Sequence, residues 1–183
     1  MNEHEPPSVT VFFSSQNETG MREGRRFIEK SLRRALDELA AERRQAFLLL
    51  TVSPPGEPEP GPSNSTDRPG ESKPEPSATR SAEQTALTRH YARLEEAALV
   101  VADLTAVAHT RNGRKVPSPE VMRDLGWALA RLGPEKVITV AHAAKESAIR
   151  AELTYTITSA ADAQAAFQEL TRAFRQALEN RLS

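Results

Sequence analysis

The sequence predicts an α/β protein: a parallel sheet of five strands with helices packed on both of its faces. Three observations lead there. Apolar runs of strand length alternate with helix-length stretches along most of the 183 residues. Some of these runs, such as Ala46–Val52 and Leu99–Asp103, are almost wholly apolar, the pattern of strands covered on both sides. The stretches between them repeat apolar residues every three or four positions, so each presents one face to a sheet.

Taken in order, Val9–Phe13 is the first strand and Ser14–Gly20 the loop leaving it. A helix follows over 21–44, with Ile28, Leu32, Ala35, Leu36 and Leu39 along its inner face. Ala46–Val52 is the second strand. Composition then changes abruptly: Ser53–Arg80 holds most of the 13 prolines, mixed with Gly, Ser and Glu. A segment with so little to bury is expected to stay a disordered or extended insert. A helix over 82–97 places Leu87, His90 or Tyr91, Leu94 and Ala98 at helical spacing, and Leu99–Leu104 is a third strand ending on Asp103. A basic polar loop spans Thr105–Val116.

The next helix has the clearest boundaries. Ser118 suits its N-cap, Pro119 its first turn, and Gly133-Pro134 its end. Val121, Leu125, Ala128 and Leu132 form its core stripe, with Glu120 and Asp124 flanking it one turn apart. Val137–Val140 is the fourth strand, a short helical piece is expected around Lys145–Glu152, and Leu153–Ile157 is the fifth strand. The last helix starts near Ser159 and turns Ala163, Ala166, Phe167, Leu170, Phe174, Ala177 and Leu178 inward. One domain over 1–183 with the flavodoxin-like order 2-1-3-4-5 accommodates these elements, and places a ligand crevice at the carboxyl ends of strands one and three.

Bulk properties narrow the function. The formal net charge of −1 gives no global attraction to nucleic acid or anionic membranes, and the absence of cysteine rules out disulfides and thiolate metal sites. No secretory signal or membrane-length apolar run is apparent, so a cytoplasmic protein is expected. No Gly-x-Gly-x-x-Gly follows the first strand and no Gly-Lys-Ser/Thr cradle occurs. Ser14 and Ser15 stand where a phospho-receiver needs acids, and the four histidines lack metal-ligand spacing. His109 and His142 both follow strands, and either line the rim of the crevice or are exposed loop residues.

A polar mouth remains. Ser14, Ser15, Gln16 and Asn17 either hydrogen-bond a ribose or amide or simply end the strand. Asp103 either orients a ligand hydroxyl or caps its loop. Arg111, Arg114 and Lys115 either draw in an anionic nucleotide or form a solvated loop. Trp127 either stacks on a ring or packs in the core. Asp124, beside apolar neighbours and Glu120, is a candidate acid, base or oxocarbenium stabiliser, against the alternative of a solvated helix acid.

The order of these motifs resembles bacterial TIR-like domains. Val11-Phe-Phe-Ser-Ser-Gln16 and Arg25-Arg-Phe-Ile-Glu-Lys-Ser-Leu32 match their first strand and helix, and Val100-Val-Ala-Asp-Leu-Thr105 their third strand. Asn112 to Ala130 and Lys136-Val-Ile-Thr-Val140 match the helix and strand that follow. The resemblance covers most of the chain outside the insert. It implies an enzyme that breaks an N-glycosidic bond, NAD being the substrate in TIR enzymes, with no further cofactor and a role in antiviral defence. It puts the catalytic carboxylate at Asp124, where the relatives carry Glu. The ligand-facing segment falls at Pro117–Glu120, including Pro119 and Glu120, and the family's tyrosine at Trp127. The alternatives are a catalytically decayed module that self-associates through TIR surfaces or joins a defence partner, and a nucleoside deoxyribosyltransferase-like enzyme.

Overall fold

The computed structural model describes residues 8–16, 24–51, 76–145 and 147–183, with the side chains of 76–83 left aside. Among these residues seven strands and four α-helices follow one another as β1 (Val9–Ser14), α1 (Arg25–Arg43), β2 (Phe47–Thr51), α2 (Pro76–Glu95), β3 (Leu99–Asp103), β4 (Ala108–His109), β5 (Lys115–Val116), α3 (Pro119–Arg131), β6 (Val137–His142), β7 (Leu153–Tyr155) and α4 (Ala163–Arg181). Five strands form one sheet in the order β2-β1-β3-β6-β7, every neighbour parallel. This is the predicted flavodoxin-like arrangement; β4 and β5 form a separate antiparallel ribbon.

Alternate residues of the central strands serve opposite faces, as the two-residue strand period requires. Val11, Phe13, Leu99, Val101, Ile138 and Val140 pack with the buried faces of α1 and α4, including Ile28, Leu32, Leu170 and Phe174. On the other face Phe12, Val100, Ala102 and Ala141 meet Val121, Leu125 and Ala128 of α3 and Leu94 of α2. All carboxyl ends of the parallel strands therefore share one edge, and the order reverses between β1 and β3 there.

Several boundaries depart from expectation. Residues 17–23 and 52–75 lie outside the described residues, so the start of the first helix and most of the proposed insert go untested; within that insert 76–80 is helical, since α2 begins at Pro76. The polar loop 105–116 contains the β4–β5 ribbon, closed by a turn in which Gly113 takes φ +74°. Among the described residues no helix runs through 147–152: a 3-10 turn at Ala143–Lys145 comes between β6 and β7. β2 lies at a sheet edge and Leu48 is 49% exposed, so this strand is not covered on both faces as its apolar run suggested. Edge position overrides what composition alone implies.

Candidate functional site

The site is built at the edge where the parallel strands end. Seven of the ten buried polar side chains among the described residues belong to it: Ser14, Gln16, Asp103, Thr105, Ser118, Asp124 and His142. Buried polar groups are costly unless paired, so their concentration at one edge calls for an account of their partners.

Gln16 ties three elements together. Its Nε2 donates to the carbonyl of Asp103 at 2.9 Å and to the carbonyl of Thr105, and its Oε1 accepts from the Ser118 backbone N–H at 2.8 Å. The ends of β1 and β3 and the start of α3 thus meet as the topology predicts. Ser118 in turn caps α3, its Oγ accepting from Val121 N at 3.3 Å, with Pro119 in the first turn. A cap with its own backbone held by Gln16 fixes where α3 begins, and so fixes Asp124 almost two turns further on.

Asp124 is buried, 4% exposed, and both its oxygens are engaged. Ser14 Oγ donates to Oδ2 at 2.7 Å, and His90 Nε2 sits 2.7 Å from Oδ1. An ionised carboxylate only accepts, so opposite one the histidine carries its proton on Nε2. His90 comes from α2 and stands edge-on to Phe12 of β1, with ring centroids 5.4 Å apart. The order Ser14–Asp124–His90 places the acid between hydroxyl and imidazole. In a nucleophilic triad the imidazole would stand between hydroxyl and acid, whereas here Ser14 donates directly to the carboxylate and has no imidazole aimed at it.

Beside this network Tyr91 stacks on Trp127 with centroids 4.3 Å apart, and the Arg131 guanidinium lies 5.3 Å from the Trp127 ring centre. Trp127 therefore packs between α2 and α3, its ring already stacked. Glu120 and Pro119 are exposed, and Asp124 takes its neighbours from β1 and α2, with Glu120 making no bond to it. His142 is buried at the end of β6 rather than exposed on a loop. Its backbone N–H donates to Thr105 Oγ1 at 3.0 Å, and its ring meets Tyr155 at 5.0 Å. His109 is exposed.

Asp103 is fully buried; its Oδ1 accepts from the Thr105 N–H at 3.0 Å, while Oδ2 has no partner among the described residues. Burial raises its carboxyl to about 6, against the lowering pull of its bonds to Thr105 and Gln16. Ser15 Oγ and Trp127 Nε1 are likewise unpartnered among the described residues. No group of three or more His, Asp or Glu side chains suited to a metal ion occurs among them.

His90 and Tyr91 are the members that reading the sequence missed. Their helical spacing with Leu94 was visible, but nothing local says which of the two faces Asp124. No helix among the described residues is long and apolar enough to cross a membrane. No family model matches the chain, and no curated protein matches it significantly.

Proposed function

We propose that this chain is a TIR-like nucleotide-recognising domain that binds a ribosyl ligand such as NAD at the carboxyl edge of its sheet. The observation carrying this reading is the convergence of Ser14, Gln16, Asp103, Ser118 and Asp124 beneath the ends of β1 and β3. A parallel sheet binds ligands where its order reverses, and hydroxyl, amide and carboxylate groups suit a sugar. Spare capacity on Ser15 Oγ and Asp103 Oδ2 adds to it. In the reaction, the glycosidic bond of NAD breaks with its electron pair going to nicotinamide. Water then adds to the ribosyl cation and loses a proton, giving ADP-ribose. Asp124 supplies the negative charge that stabilises the cation.

A second reading has its own support. Asp124 is 4% exposed, with Ser14 on one oxygen and His90 on the other, so a sugar reaches it only when its cover opens. An aspartate is also one methylene shorter than a glutamate, and about 1 Å of misplacement costs on the order of 100-fold in rate. Binding without turnover follows from that closure. Nicotinamide release by wild type, Asp124→Ala and Asp124→Glu separates the two. Release abolished by Asp124→Ala supports catalysis, and release unchanged by it removes the proposed role. Nucleotide binding without release by wild type, with release gained in Asp124→Glu, identifies a decayed site.

A further inference from the structure

The β4–β5 ribbon carries a second candidate site. His109 of β4 and Lys115 of β5 are directly opposite each other across the antiparallel pair. Opposed residues of such a pair lie on the same face with their side chains in reach of each other. The ribbon is stitched to the segment after β6: Ala106 N–H donates to the Lys145 carbonyl at 2.8 Å, and Ala148 N–H to the Lys115 carbonyl at 2.9 Å. These bonds bring Lys145 beside the ribbon, where an open depression of about 220 Å³ is lined by Ala106, Val107, Ala108, His109, Lys115 and Lys145.

No acid is among those six residues, and neither lysine forms an ion pair among the described residues. Elsewhere Arg33, Arg34, Arg131, Arg175 and Arg181 each have a glutamate partner. Two lysines and a histidine gathered from three segments, with no ion-pair partner for either lysine among the described residues, raise the local potential around a concave floor of alanine and valine. The net charge of −1 makes this a local feature of one edge.

We propose that this depression binds a phosphate-class anion, specifically the diphosphate of the nucleotide ligand. This rests on the nucleotide reading above. The depression begins at Ala106, one residue past Thr105, whose carbonyl accepts from Gln16 in the polar cluster. One chain segment thus leads from the residues assigned to the sugar to those assigned to the diphosphate. Lysine ammonium groups serve such an anion as mobile point charges, and the histidine adds a directional donor.

Isothermal titration of the full chain with ADP, adenosine and inorganic pyrophosphate tests this. ADP should bind about tenfold or more tightly than adenosine, and a Lys115→Ala/Lys145→Ala variant should lose about that factor for ADP but not for adenosine. Both lysines are exposed, and a Lys115→Arg/Lys145→Arg variant, which keeps the charge, should retain ADP affinity. Equal affinities of ADP and adenosine, or ADP affinity unchanged in the alanine variant, overturn the diphosphate site and leave the nucleotide reading standing. Lysine-dependent binding of pyrophosphate that ADP cannot compete away supports the anion site but removes the nucleotide reading. No binding of any of the three by wild type overturns both.

Discussion

Asp103 and Asp124 end up buried at one edge of the sheet, yet their surroundings treat them differently. Asp124 has a donor for each oxygen, whereas Asp103 is met by Thr105 and Gln16 on one side only, Oδ2 having no partner among the described residues. Burial lifts the Asp103 carboxyl to about 6, well above the ordinary carboxylate near 3.9. A carboxyl whose folded pKa is raised contributes stability that is fully present below its unfolded pKa and lost as pH rises through the folded one. The loss therefore falls between about pH 4 and pH 6. Two pKa units at about 1.4 kcal/mol each put it near 3 kcal/mol at full amplitude. Asp103→Asn keeps an acceptor for the Thr105 N–H and carries no charge. Urea unfolding at pH 4 and pH 8 should show the variant more stable than wild type at pH 8 by about 1–3 kcal/mol, with little difference at pH 4. A wild type as stable relative to the variant at pH 8 as at pH 4 contradicts the assignment. The sequence made Asp103 visible, because an acid ending an apolar strand stands out. It did not show which donors each acid meets, since His90 and Asp124 are 34 positions apart and joined only by the packing of two helices.

Helix α2 shows how little of a helix needs to be buried to place one side chain. Leu94 and, just past the helix, Ala97 are buried, while Gln84 to Arg89 are exposed, Leu87 included at 41%. Its attachment to α3 comes from His90 on Asp124, Tyr91 on Trp127, and Glu95 with Arg131 at 3.3 Å. The last of these pairs is exposed and contributes little. Docking therefore depends on buried Leu94, one buried hydrogen bond and one aromatic stack, the last adding about 0.5–1.5 kcal/mol beyond its buried area. Trp127 is the only tryptophan, so its emission reports on this contact. Tyr91→Ala should shift the emission to longer wavelength as water reaches the indole, and His90→Ala should do so to a smaller degree. Emission unmoved by both substitutions means that α2 does not cover Trp127. A weakly attached helix also explains the sequence's ambiguity here: its start falls earlier than expected, and of the spaced residues Leu94, His90 and Tyr91 do face inward while Leu87 is exposed. α3, whose cap and apolar stripe are both strong, was read nearly to the residue.

The two faces of the sheet are unequal, and the inequality places the candidate site on the weaker one. The α1–α4 face buries Phe13, Phe27, Phe174 and eight leucines or isoleucines: Ile28, Leu32, Leu36, Leu39, Leu170 and Leu178 from the two helices, and Leu99 and Ile138 from the strands. The α2–α3 face has one buried phenylalanine, Phe12, and relies on the alanines at 97, 102, 128, 141 and 151. At roughly 25 cal/mol per Å² of apolar surface, small side chains contribute much less per position. The helix stripes and the apolar strands between them made the fold class legible in the sequence, but not this inequality of the two faces. Unlike these, the β4–β5 ribbon depends on two-residue strands and a glycine turn too short to leave a periodic signal. Local opening should follow the same asymmetry, because elements with few buried apolar contacts open without global unfolding. In native-state hydrogen exchange, amides of α1, α4, β1 and β3 should be the slowest, exchanging only through global unfolding. Those at 84–89 of α2 should exchange about 100-fold faster or more, equivalent to about 3 kcal/mol less protection. If α2 matched α1 in protection, the cover over Asp124 would be part of the rigid body, and a ligand would have to reach the carboxylate from the Ser14 side. If α2 opens first, His90 leaves Oδ1 in a state well short of unfolding, and Asp124 becomes available to a sugar without loss of the sheet that holds it.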